Sequence, residues 1–248
     1  MSTIVLEAQK DIAIVRLDNG VTNPVSRELV EDLSDTLEKV KSEFSGMVLA
    51  GGTKFFSIGL NVPELLELNR QEMTEFWHRF NRICFELFTL PVPTTCTLEG
   101  HAPGAGAIFA LACDFRFAAA GKKMIGFNEI ALGIPVPYLA DMMLRQVAGD
   151  RVATDMIYRG KLITPEKAKE TGLIDMILDS DKLEDKAIKN TAEIATFDSK
   201  AFSVIKANRV EEISFKFEKN HKEKHEMFID CWFSNPVQKL LHKAAEKF

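Results

Sequence analysis

The chain has 248 residues, 46% of them hydrophobic and 27% charged, which supplies a sizeable core and excludes disorder as the overall state. Lys and Arg number 31 against 36 Asp and Glu, for a formal net charge of −5. That balance argues against the basic face of a nucleic-acid binder, while leaving room for a few local cations to hold a small anion.

Residues 4–8 and 12–17 alternate apolar and other residues with β-branched enrichment and predict a hairpin turning at Gln9-Lys10-Asp11. Ser26 predicts a cap for a helix running to about residue 42, with Leu29, Leu33, Leu37 and Val40 on one stripe. Met47–Ala50 reads as a buried strand stopped by Gly51-Gly52. Residues 71–90 carry Met73, Phe76, Trp77, Phe80, Ile83, Cys84, Leu87 and Phe88 at helical spacing, and Pro91 and Pro93 end that helix. Strands are expected over 94–98 and 113–119, with a buried helix at 107–112 between them. After Ile134-Pro-Val-Pro137 come a helix to about Val147, a short helix from Gly149-Asp150, and a helix opened by Thr164-Pro165 and closed by Gly172. A short strand is expected at 174–178. From residue 181 onward the pattern is helical, over 182–196, 200–211, 213–232 and 236–247. The expected organisation is a mixed α/β core over residues 1–180 and a helical region over 181–248.

The first ten residues, MSTIVLEAQK, lack the basic stretch and apolar run of a signal peptide, and no window holds the roughly 20 consecutive apolar residues of a membrane span. The expectation is a soluble cytoplasmic protein; a matrix enzyme that had lost a transit peptide would read the same way. The four cysteines, Cys84, Cys96, Cys113 and Cys231, each lie in an apolar run without CxxC spacing and are expected to be buried free thiols. His221 and His225 stand four apart in a Lys-rich stretch that reads as a solvated face. No cluster has the spacing of a catalytic metal site.

Three segments are candidates for chemistry. Phe55-Phe-Ser-Ile-Gly-Leu-Asn61 and Gly100-His-Ala-Pro-Gly-Ala-Gly106 both follow a predicted strand and precede a predicted helix. Small residues at such corners let a ligand approach the backbone, and a helix start leaves N–H groups free; two of these aimed at one point make an oxyanion hole. Taken singly, each loop reads equally as a tight packing turn. The third segment runs from Met124 to Pro137, where Glu129 is the sole charge between Lys123 and Asp141. In apolar surroundings its pKa would rise toward that of a general base; on an exposed loop it would be inert. His101 and Asp114 read as local hydrogen-bonding or ion-pairing residues.

Together, IAIVRLDNGVTNPVSRELVEDL, FFSIGLN, LEGHAPGAGAIFALACDFRFAA, FNEIALGIPVP and the segment from Gly149 to Leu178 resemble the crotonase, or enoyl-CoA hydratase/isomerase, superfamily over nearly the whole chain. The resemblance implies an α/β fold, a crotonase-like ββα spiral core with a helical C-terminal region. It implies an acyl-CoA thioester as ligand, with coenzyme A part of the substrate and no separate cofactor or metal. By position it gives the backbone N–H groups of Leu60 and Ala105 to an oxyanion hole, Glu129 to acid–base work, and Ser57, Gly59, Gly104 and Phe127 to the substrate. Hydratases of the family carry a further glutamate where this chain has Ile108, and other members an aspartate at Pro137. The remaining pattern is similar to the Δ3,Δ2-enoyl-CoA isomerases, which move a double bond with one glutamate. The alternatives are another acyl-CoA reaction on the same scaffold (hydration, decarboxylation or hydrolysis) and a non-catalytic CoA-binding protein. Homotrimers or dimers of trimers are usual in the family, and the apolar run Met227, Phe228, Ile229, Cys231, Trp232, Phe233 is expected to lie in a subunit interface. Lys54, Lys239 and Lys243 are candidates for the CoA phosphates.

Overall fold

The structure, a computed structural model, describes residues 2–246. After an opening strand β1 (Ile4–Gln9), four successive units among the described residues each pass from a long strand to a two-residue strand and then to helix. The first is β2 (Ile12–Leu17), β3 (Pro24–Val25) and α1 (Arg27–Glu43). The second is β4 (Gly46–Ala50), β5 (Gly59–Leu60), α2 (Val62–Leu66) and α3 (Arg70–Phe88). The third is β6 (Thr94–Leu98), β7 (Ala102–Pro103) and α4 (Ala105–Ala112). The fourth is β8 (Phe115–Ala119), β9 (Ile125–Gly126), a 3-10 turn (Glu129–Leu132), α5 (Tyr138–Ala148) and α6 (Asp150–Arg159). The chain continues through β10 (Leu162–Ile163), α7 (Pro165–Glu170), β11 (Met176–Leu178), α8 (Ser180–Ala195), α9 (Ser199–Trp232) and α10 (Asn235–Ala245). This is the ββα spiral that the resemblance implies.

The long strands form one sheet in the order β1-β2-β4-β6-β8-β11, antiparallel at β1–β2 and parallel thereafter. A parallel sheet is covered on both faces, so its central strands are buried throughout rather than alternating. β4 and β6 are buried at every residue. Ile12, Ile14, Val48, Phe117 and Ala119 pack on Leu183, Ala187 and Ile188 of α8. The intervening residues Ala13, Val15, Met47, Leu49, Cys96, Leu98 and Ala118 join the main core with α1, α3 and α4. The boundary expected near residue 180 falls at the start of α8, which lies on the sheet itself; α9 lies on α3, and α10 on α2. The helical region shares the core of the spiral.

Several expectations are corrected. The helices expected over 200–211 and 213–232 are one 34-residue helix, α9, because no Gly or Pro interrupts it. The strand expected from residue 113 starts at Phe115, since Cys113 caps α4 by donating its N–H to Ala110 O. Cys84, Cys96 and Cys113 are buried, but Cys231 is exposed. Half of the apolar run near the end of α9 is consumed inside the subunit: Phe228, Ile229 and Trp232 are buried. The Phe228 ring stacks on Trp77 of α3 at 3.4 Å between centroids, and Trp232 packs on Phe228 in turn. Met227 and Cys231 are exposed and Phe233 is partly buried, so only this half of the run is left to meet a neighbouring subunit. No helix of the described residues is long and apolar enough to cross a membrane.

His225 is also not on a solvated face. It is buried between α9 and α3, with its Nδ1 2.9 Å from Nδ1 of His78. That spacing fits a hydrogen bond in which one neutral ring donates and the other accepts. Burial, then the neighbouring His78, His221 and Arg82, push the His225 pKa down to about 3, and burial also lowers that of His78. The Arg82 guanidinium is paired with Glu218, and Lys222 and Glu226 also act on His78. A histidine whose folded pKa lies below its unfolded value of about 6.5 stabilises the fold fully above that value and progressively less below it. Thermal unfolding followed by circular dichroism should therefore show the Tm of the wild type, relative to that of a His78→Gln/His225→Gln double variant, dropping by several degrees between pH 7 and pH 5, because the protonation of Glu129, which acts in the opposite direction, is common to both proteins. An unchanged difference between the two proteins would show that the histidine pair carries no acid sensitivity.

Candidate active site

The functional candidates occupy the same place in successive units of the spiral, where the two-residue strand gives way to helix. β5 ends in Leu60, β7 is followed by Gly104 and Ala105, and β9 is followed by the 3-10 turn that begins at Glu129. The short strands bring these corners together. β3 pairs with β5, β7 pairs with β9, and β9 pairs with β10. Phe55 and His101 form a further bridge between the two loops, with Phe56 N–H and Ser57 N–H both donating to His101 O.

The first loop is held from within. Ser57 is fully buried; its hydroxyl donates to Asn23 O at 2.7 Å and accepts from Gly59 N–H at 3.1 Å. The hydroxyl of Ser57, a residue expected at the substrate, is thus spent on shaping the loop. Asn61 N–H donates to Val25 O, so the alternation of a strand turns the N–H of Leu60 to the opposite side. Gly59 has φ +98°, and a methyl group built on it would sit 3.2 Å from Pro103 O and 3.4 Å from Ala105 N. The two loops therefore touch at the residues preceding and including the two expected donors.

The second loop turns at Gly104, whose φ of +55° is open to glycine at little cost. Gly104 is the N-cap of α4 and donates its own N–H to Gly126 O. Ala105 is the first residue of the helix, where the N–H has no intrahelical acceptor. Among the described residues nothing accepts from it. The Ala105 side chain sits on a helical backbone, so its methyl group brings no conformational strain.

Glu129 faces this corner. A methyl group on Gly104 would lie 3.6 Å from Glu129 Oε1. The residue is 6% exposed, and its Oε2 is buried without a hydrogen-bond partner. Burial pushes the carboxyl up from 4.5 to about 7, opposed only in part by its own backbone N–H. Phe127, two residues earlier, is fully buried and forms apolar wall rather than open surface. Ile108, one turn into α4, is also buried and apolar. The 3-10 turn is roofed by α10: a methyl group on Gly133 would meet Val237 at 2.9 Å and Leu240 at 3.2 Å. Leu60, Ala105 and Glu129 thus converge, with Gly59 and Gly104 as the contacts between them.

Two further features lie at the rim. His101 accepts from Met124 N–H through Nδ1 at 3.1 Å, the local role expected of it. Its pKa is lowered by burial and by the nearby charges of Lys123 and Lys54. Lys123, which also reaches Thr53 O, joins Lys54 as a cation beside the first loop; nothing in its sequence context marked it out. Asp114, at the far end of α4, accepts from Thr94 N–H and Lys206 Nζ, both at 2.9 Å, and is a structural residue.

Comparison with known proteins agrees with this architecture. The enoyl-CoA hydratase/isomerase family pattern matches residues 7–248. The chain is 26% identical over 245 residues to the mitochondrial enoyl-CoA delta isomerase 1 of Rattus norvegicus, covering 97% of this chain and 85% of that one. It is 30% identical over 165 residues to the enoyl-CoA isomerase/hydratase fer4 of Mycosarcoma maydis, covering 62% and 60%. The crystal structure of human mitochondrial Δ3-Δ2-enoyl-CoA isomerase superposes with a TM-score of 0.95 at 23% identity, over 99% of this chain and 97% of that one. With the converged corners, the spiral and a match over nearly its full length, the chain belongs to the enoyl-CoA hydratase/isomerase family.

Proposed function

We propose that the protein moves the double bond of a 3-enoyl-CoA to the 2-position with Glu129 as the single proton carrier. The observation that carries this reading is one buried carboxylate, with a pKa near 7 and an unpartnered oxygen, beside the free N–H group of Ala105. The thioester oxygen would sit between the N–H groups of Leu60 and Ala105. Glu129 removes a proton from C2, and the C–H electron pair becomes part of a dienolate whose charge rests on the thioester oxygen. The same carboxyl returns the proton to C4, leaving the double bond between C2 and C3. Donors fixed before the reaction hold the developing oxyanion without reorganisation.

One carboxylate suffices for a transfer in which the proton taken is the proton returned. Hydration requires water to be both positioned and activated, and the side chain at Ile108 offers no help with either. Ser57, Gly59 and Gly104 shape the cradle, and Phe127 backs Glu129. Lys54 and Lys123 flank the first loop and are placed to meet the CoA phosphates, with Lys239 and Lys243 on α10 as further candidates. The assembly proposed is a homotrimer or a pair of trimers, by analogy with the family.

Incubation with 3-hexenoyl-CoA should give the conjugated 2-enoyl product, read by its ultraviolet absorbance, with little 3-hydroxyacyl product. Dominant hydration would overturn the isomerase reading, and ligand binding without turnover would favour a CoA-binding protein. Glu129→Gln should lower kcat by at least about 10²–10⁴ while leaving binding of a CoA ester within a few-fold, because the amide keeps the shape and loses the base. Retention of more than roughly a tenth of wild-type turnover would require a second acid.

The pH dependence follows from the same carboxyl. Proton removal needs the ionised form, so kcat/KM should rise through a midpoint near pH 7 to an alkaline plateau. A carboxyl whose folded pKa is raised above its unfolded value weakens the fold once it ionises. The shift from 4.5 to about 7 corresponds to a cost on the order of 3 kcal/mol above pH 7. Glu129→Gln should therefore raise Tm at pH 8, and the gain should shrink as pH falls toward 4.5. A Tm loss at pH 8 would show that the ionised carboxylate is stabilised by groups not apparent in its surroundings.

A further inference from the structure

Asn128 stands at the N-cap of the 3-10 turn that carries Glu129, a position where an Asn side chain ordinarily accepts from the backbone N–H two or three residues on. Here no side-chain cap bond is made. Among the described residues the carboxamide has no hydrogen-bond partner, and only the backbone carbonyl of Asn128 is engaged, by Ala131 N–H. The side chain is turned the other way, into the corner between the loops. A methyl group on Gly104 would lie 3.8 Å from Asn128 Oδ1 and 3.6 Å from Glu129 Oε1, so the carboxamide and the carboxylate flank the same point, one residue before the N–H of Ala105. A half-buried carboxamide that makes no hydrogen bond, and that lies within 4 Å of the same point as a buried carboxylate oxygen, calls for an account.

We infer that Asn128 is a positioning residue for the proton transfer: during turnover its carboxamide holds Glu129 Oε1 and leaves the unpartnered Oε2 to carry the proton between C2 and C4. An amide suits this task because it offers both kinds of hydrogen bond. Its Nδ2–H donates to the carboxylate before proton removal, and after a half-turn of the amide its Oδ1 accepts from the carboxylic acid if the proton passes to Oε1. A hydrogen bond to the ionised form also favours that form, so Asn128 would restrain the upward push that burial exerts on Glu129. The proposal deepens the isomerase reading and rests on it for the identity of the reacting carbons, but the coupling between Asn128 and Glu129 is a property of the site whichever thioester it takes.

The test uses the full-length protein with Asn128→Ala, Asn128→Asp and Asn128→Gln, assayed on 3-hexenoyl-CoA across pH 5.5–9. For Asn128→Ala the expected result is a fall in kcat of about 10–100-fold, with KM changed less than about threefold and the acid limb moved to higher pH. The direction follows from loss of a donor to the carboxylate. Asn128→Asp should move the limb further in the same direction, because a second carboxylate opposes ionisation of the first, and Asn128→Gln should restore part of the rate. A merely structural residue would alter stability or KM without moving the limb. Unchanged kcat and an unchanged limb in Asn128→Ala would overturn the proposal. If wild-type protein does not isomerise the substrate, the isomerase reading fails by itself. Carboxyl titration by difference infrared spectroscopy, with Glu129→Gln identifying the band, then decides the coupling: a midpoint raised in Asn128→Ala supports it, and an unmoved midpoint sinks it.

Discussion

Everything at the site depends on α4, a helix of eight residues buried along its whole length. A helix end cut off from water must find partners for its orphan backbone groups, and here the two ends are treated differently. At the C-terminal end Arg116, itself 4% exposed, donates to the carbonyls of Cys113 and Asp114 and to that of Leu173. The Asp114 carboxylate is in turn held by Thr94 and Lys206. At the N-terminal end Gly104 finds an acceptor in Gly126, and the N–H of Ala105 is left over. The fold thus fastens one end of the helix with buried cations and keeps an uncompensated donor at the other, where the helix dipole favours negative charge.

That asymmetry explains the crowding of small residues around α4. The first loop must reach the helix start for Leu60 to stand beside Ala105, and a methyl group at Gly106 would already lie 2.7 Å from Ser57 O. Ser57 spends its hydroxyl inside the loop because a loop at this distance has no room to relax. The spiral supplies the rest: each unit delivers one corner, β7 pairs with β9, and the Phe55–His101 bridge ties the loop leading into β5 to the loop leading into β7. Precision in the backbone therefore comes from strands only two residues long, whose own stability derives from the sheet and helices around them.

The sequence displayed the large elements well and the small ones hardly at all. α1, α3 and β4 were legible because a stripe or a run of apolar residues is nearly as long as the element it marks, and β6 because its threonines are β-branched. β3, β5, β7, β9 and β10 are too short to show a period, so the layer that assembles the site was invisible, although the glycine loops around it were not. Glu129 was legible as a lone charge in an apolar stretch, and its burial agrees with that signal. His225 was misread because its flanking residues, Lys222, Glu223 and Lys224, belong to a charged stretch, while the ring itself turns inward to His78 on a helix nearly 150 residues earlier. Ser57 was assigned to the substrate by position in the family, which says nothing of its hydroxyl; the distances to Asn23 and Gly59 show which way that group goes.

The burial of Glu129 and the position of α10 are two sides of one condition. A carboxylate keeps a pKa near 7 only while apolar material excludes water from it, and α10 supplies part of that material by resting Val237 and Leu240 on the turn at Gly133. α10 is carried by α9, and α9 is fixed to α3 by the Trp77–Phe228 stack and the His78–His225 pair. α3 packs on α4 through Phe80 and Phe109, four residues beyond Ala105. The helix that offers the N–H group and the helix that dries the carboxylate are therefore parts of one packed unit. In the proposed reaction the C-terminal region would act through solvation: the Glu129 side chain comes from the spiral, and part of its raised pKa comes from what lies over it.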